Sequence, residues 1–154
     1  MKFSNLTLSA VLLCASQLAA TGVMAHGGAT GIVKDRMDAM SGMAKAMKQM
    51  AVVVRGKQEF SPQPFIDGGT VISKHSAMML EMFPDGSIKG SSEALPLIWR
   101  QWDEFSAIND QVGVSAGLLT AMALDNADKR ALTKQFVAVS KGCKACHKDY
   151  RKKK

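Results

Sequence analysis

The sequence predicts an all-α protein folded as an antiparallel four-helix bundle. Methionine is abundant at 11 residues while aromatics make up only 6% of the chain, a mix that favours helices over sheets. Apolar residues recur at steps of three and four in four separate segments, which is the helical period. Proline, glycine and serine gather between those segments, and no stretch alternates apolar with polar residues as a half-buried strand would. A chain of 154 residues suits one domain with a real core. Four amphipathic segments with short connections pack as a bundle.

Residues 1–25 precede the bundle and read as a cleavable secretory signal peptide. Lys2 gives a positive start, Leu6 to Ala20 is an apolar run, and Val23-Met24-Ala25 offers a small-residue cleavage pattern before His26. The run is shorter than the roughly 20 apolar residues of a membrane span, so no stable membrane insertion is expected. Lipoprotein processing at Cys14 is disfavoured by Leu13, because a small residue is expected before the lipidated cysteine. The expected mature domain is therefore 26–154, exported to the periplasm.

The first helix spans Thr30 to Arg55, with Val33, Met37, Met40, Met43 or Ala44, Met47, Ala51 and Val54 on one face, and Gly56 closes it. The segment 60–65, with two prolines, reads as a turn, and a second helix runs from about Ile66 to Phe83. Residues 84–92 form the clearest loop, with Pro84, two glycines and three serines. A third helix starts near Glu93 with Pro96 in its first turn and continues to about Ala123, carrying Ile98, Trp99, Trp102, Phe105 and Ile108. Gly113 and Gly117 weaken its middle. Asp125 or Asn126 then caps a fourth helix whose face reads Leu132, Phe136, Val139, Cys143, Cys146 or His147, and Tyr150.

Loss of the leader removes only Lys2 among charged residues, so the net charge of +7 falls to +6. Much of the surplus sits in Arg151 and Lys152 to Lys154, a run expected to be solvated. An exported chain with no reader motif is not expected to bind nucleic acid. No Ser/His/Asp set, paired-carboxylate site or phosphate loop stands out, so the sequence does not read as an enzyme.

The mature chain keeps only two cysteines, in Cys143-Lys144-Ala145-Cys146-His147. C-x-x-C-H is the spacing of covalent haem attachment. Residues three apart share one helix face, so both sulfurs can form thioethers with one porphyrin, and the adjacent histidine can reach the iron. A structural zinc site needs four ligands, and only His26 and His75 remain, without companion spacing. A thioredoxin-like dithiol sits near a βαβ unit, and this chain shows no strands. The expected cofactor is one covalent haem c, held by Cys143 and Cys146 with His147 as the proximal iron ligand.

With "GCKACHKDYRKKK", "IVKDRMDAM", "VVVRG" and "LIWRQWDEF", the mature chain resembles the class II cytochromes c, the family of cytochrome c-prime and its low-spin relatives. The resemblance implies a four-helix bundle with the haem attached near the C-terminus. In that family a first-helix arginine is followed four positions later by the residue over the distal haem face; here these are Arg36 and Met40. A leucine-like residue there leaves five-coordinate, high-spin iron, whereas a methionine offers a sulfur for a low-spin His/Met site. Met37, Met43 and Met47 are the substitutes, and a methionine stripe can also be simple core filling.

The resemblance further implies that Arg36 pairs with a haem propionate. Arg151, one turn beyond His147, would place its charge near the proximal side, and Trp99 and Phe136 would pack around the porphyrin. The function implied is a periplasmic one-electron carrier serving redox partner proteins; the alternative is a high-spin protein binding NO or CO. Family members often pair through their first two helices, and the exposed Met and Val side chains of the first helix permit a homodimer. Metal binding by His75 with Met79, or copper binding by His26, has no further support.

Overall fold

The computed structural model describes residues 28–153, so the expected signal peptide and His26 lie outside the described residues. The described residues form five helices: α1 (Gly31–Val54), α2 (Gln63–Met79), α3 (Leu97–Arg100), α4 (Trp102–Leu124) and α5 (Lys129–Tyr150), with a 3-10 turn at Leu80–Met82. The four long ones make an antiparallel bundle. Among the described residues there is no strand, only an isolated bridge between Ala94 and Arg151.

Local chemistry sets the helix ends. Gly56 at φ +68 takes the left-handed conformation that glycine tolerates best. Its N–H donates to Val53 O, and that of Lys57 to Val52 O, so the last carbonyls of α1 are satisfied. The two-proline segment is not a separate turn: Pro62 sits at the N-cap of α2 and Pro64 in its first turn, where missing N–H groups cost nothing.

Two expectations are corrected. The third helix is broken at Gln101 (φ −128, ψ 48), which separates the single turn α3 from α4. Trp102 restarts the helix, and the chain then continues unbroken through Gly113 and Gly117. The cap of α5 is Asp128, whose carboxylate accepts from Ala131 N at 2.8 Å. Asn126 instead closes α4 in the left-handed conformation (φ 56), with Asn126 N donating to Ala123 O and Ala127 N to Met122 O.

The closest helix pair is α2 with α4. A Cβ on Gly69 would lie 2.3 Å from Thr120 Oγ1 and 2.8 Å from the Ala116 carbonyl. The Ala116 carbonyl already accepts from the Thr120 hydroxyl, so neither atom can easily yield. Gly69→Ala should therefore cost about 1–3 kcal/mol, as overpacking does elsewhere, and a thermal melt of the holoprotein would read it as a lowered midpoint.

Packing divides the bundle into two ends. Six of the eight largest fully buried side chains, among them Met50, Val53, Phe65 and Leu119, come from the later parts of α1 and α4 and the earlier parts of α2 and α5. Each contributes about 1.5–3 kcal/mol on burial. This end is closed. At the other end, the start of α1 and the end of α5 stand apart, and the gap between them holds the site.

Candidate functional site

A cavity of about 340 Å³ opens between α1 and α5 and is lined by Arg36, Met37, Met40, Phe83, Phe105, Cys146, His147, Tyr150 and Arg151. A second lobe of about 130 Å³ adjoins it, lined by Met40, Met43, Met47, Met79, Asn109, Val112, Cys143, Cys146 and His147. Met40, Ala44, Phe105, Cys146 and His147 belong to both. The helical spacing of α5 brings its cysteines and histidine to this gap, and the spacing of α1 brings Arg36 and Met40.

The two cysteines are not joined to each other. Burial raises the Cys143 thiol above its ordinary value, and burial, helped by Cys143 and Asp149, pushes Cys146 up to about 11. Both are neutral thiols at pH 7. A thioredoxin-like attacking cysteine needs the opposite shift, whereas an anchor for a thioether does not. His147 stands exposed at the cavity rim. Its pKa is lowered, by partial desolvation against the cavity wall first and the Arg151 charge second, with Glu93 opposing; the neutral imidazole this favours is the form that ligates a metal.

Arg36 is 5% exposed. Its Nη2 donates to Ser87 O at 2.7 Å and Ser92 Oγ at 3.0 Å, and Nη1 to Met82 O at 3.2 Å and Ser87 Oγ at 3.4 Å. The guanidinium carbon lies 4.3 Å from the centre of the Phe83 ring. Arg36 thus lines the cavity and also fastens Met82, Ser87 and Ser92 in the segment between α2 and α3. Sequence reasoning missed this second role.

Tyr150, Arg151 and Lys152 are docked, which corrects the expectation of a solvated run for Arg151 and Lys152. Leu95 N donates to Tyr150 O at 3.0 Å and Lys152 N to Glu93 O at 2.8 Å. Arg151 Nε donates to Glu93 Oε2 at 2.7 Å, and Lys152 Nζ to Ser92 O at 2.9 Å. Arg151 reaches the cavity with its charge already answered by Glu93.

Two aromatic residues that the sequence did not mark for the site, Phe83 and Phe105, line the cavity. Phe105 meets Phe83 edge-on at 4.9 Å and Tyr150 at 5.3 Å. Trp99 is not brought to the cavity. Its indole N–H donates to Phe83 O at 3.0 Å and it borders a surface depression with Leu80 and Trp102. Phe136 packs against the core and lines neither lobe. His75 lies against Gly42 with its Nδ1 buried, and the described residues hold no cluster of three or more His, Cys, Asp or Glu that could bind a metal.

The donor set fits a covalent haem: two neutral thiols one helical turn apart on the wall, a neutral histidine beside them, a thioether across the gap and aromatic edges around it. Residues 31–151 match the cytochrome c′ family. The chain is 31% identical over 127 residues to a cytochrome c-556 of Agrobacterium fabrum, covering 82% of this chain and 84% of that one. The crystal structure of cytochrome c′ from Rhodopseudomonas palustris superposes with a TM-score of 0.75 at 25% identity, covering 82% of this chain and 99% of that one. A nitric oxide complex of a variant cytochrome c′ from Alcaligenes xylosoxidans superposes at 0.71 with 32% identity, over 80% and 94% of the two chains.

Proposed function

Because the chain belongs to the cytochrome c′ family, we propose that it is a periplasmic one-electron carrier whose single haem iron takes His147 on one side and Met40 on the other. The cofactor is one covalent haem c, and it supplies an Fe(II)/Fe(III) couple. The chain's residues hold and shield it. Cys143 and Cys146 anchor it to α5, Phe83, Phe105 and Tyr150 exclude water from one side, and Arg36 fastens Met82, Ser87 and Ser92 while adding positive charge beside the cavity. The domain is 26–154 once the leader 1–25 is removed. Among the described residues no helix is long and apolar enough to cross a membrane.

One observation carries the ligation: Met40 and His147 line the same two lobes from opposite helices. A neutral, soft thioether adds no charge to the iron, which favours the reduced state, and His/Met ligation is the arrangement that suits electron transfer.

A second reading, a five-coordinate protein binding NO or CO, draws on the lobe beside Met40. The nitric oxide complex of the variant cytochrome c′ from Alcaligenes xylosoxidans, which superposes on this chain, supports it. Optical spectra of the oxidised and reduced holoprotein decide between the two. The carrier reading expects a low-spin ferric spectrum with a methionine–iron charge-transfer band. A high-spin ferric spectrum, with rapid CO binding after reduction, would overturn it.

A further inference from the structure

The outer face of α5 is a continuous basic stripe. Arg130, Lys134, Val137, Lys141, Lys144 and Lys148 follow one another at steps of four, three, four, three and four, and all six are exposed. Helical rise spreads them over about 27 Å. No carboxylate interrupts the stripe, and no ion pair or hydrogen bond among the described residues engages its five charges. Val137, 41% exposed, is its one apolar member. The stripe lies across the helix from Leu132, Val139 and Tyr150, which face the core.

We propose that this stripe is the docking face for an acidic surface on a partner protein. Five like charges along one side of a rigid helix repel each other and gain most from a surface that presents carboxylates at matching intervals. The same helix carries Cys143, Cys146 and His147. A protein seated on the stripe is therefore separated from the haem site by one helix, about 10 Å, and for that reason the partner is placed among the electron-exchanging ones. That assignment rests on the carrier function proposed above. An anionic lipid surface fits less well. The stripe offers no aromatic or long aliphatic side chain to insert.

The test compares two holoprotein variants of equal net charge: Lys134→Glu/Lys141→Glu/Lys144→Glu on the stripe, and Lys45→Glu/Lys48→Glu/Lys74→Glu on the exposed faces of α1 and α2. Binding to immobilised poly-L-glutamate and to phosphatidylglycerol vesicles is measured at several salt concentrations. The stripe variant should lose about tenfold or more in poly-L-glutamate affinity and most of its salt dependence, and the control less than about threefold. Equal losses would mean that net charge alone matters and would overturn the proposal. Tighter binding of the unaltered protein to the vesicles than to poly-L-glutamate would overturn the choice of a protein partner. The optical spectrum of each variant keeps the two readings apart: a missing methionine–iron band with stripe-dependent binding refutes the axial ligation and leaves the docking face standing.

Discussion

Replacing Met40 with leucine is expected to convert the oxidised protein from low-spin to high-spin in essentially every molecule, and to open the reduced protein to carbon monoxide. Leucine and methionine have similar volumes, so the exchange should cost less than about 1.5 kcal/mol in stability, and Met40 is only partly buried. What disappears is the sulfur. No other side chain common to both lobes offers a second soft donor: Ala44 and Phe105 have none, and Cys146 is committed to the anchor. Spectra before and after reduction, with and without CO, read the change directly. An unaltered methionine–iron band in Met40→Leu would move the ligand to Met37, Met43 or Met47, of which Met37 lines the larger lobe and the other two the smaller.

The double substitution Cys143→Ala/Cys146→Ala is expected to abolish covalent attachment, so that acidified organic solvent extracts all haem from the denatured protein. His147 stands exposed at the rim, and one axial bond on each side is a poor substitute for two thioethers. Stability should fall as well. Without the haem, the apolar walls that Met40, Phe83, Ile98 and Phe105 give the gap face water, at a cost of about 25 cal/mol for each Å² exposed. Thermal melts of the holoprotein and the double variant measure that loss, and haem retained through denaturation would refute the assigned anchor.

The sequence announces the parts that depend on short-range order. Steps of three and four place four long helices, Gly56 ends the first, and Cys143, Cys146 and His147 declare their chemistry within five residues. The break at Gln101 has no such signal, because the residues around it are good helix formers and the interruption is set by tertiary packing. Asn126 and Asp128 are equally good at helix ends by composition, and only backbone conformation shows that one closes α4 while the other opens α5. Arg36 illustrates the same limit at the site. Its position on α1 is legible, but its partners lie 46 to 56 positions away in a loop without periodicity. Trp99 and Phe105 look alike as apolar positions near the start of the third helix, yet only Phe105 reaches the cavity, while Trp99 borders the depression beside Leu80 and Trp102.

The strap that joins Glu93 and Leu95 to Tyr150 and Lys152 also carries an entropic cost. It closes a loop of 58 positions between Glu93 and Arg151, and the entropy of drawing such distant segments together must be met before its few hydrogen bonds form. The tightly packed end of the bundle contains none of the cavity-lining residues and buries its side chains without them. The strap is therefore the contact of the site most costly to form from the unfolded chain, and it ties the end of the helix bearing Cys143, Cys146 and His147 to the residues before α3.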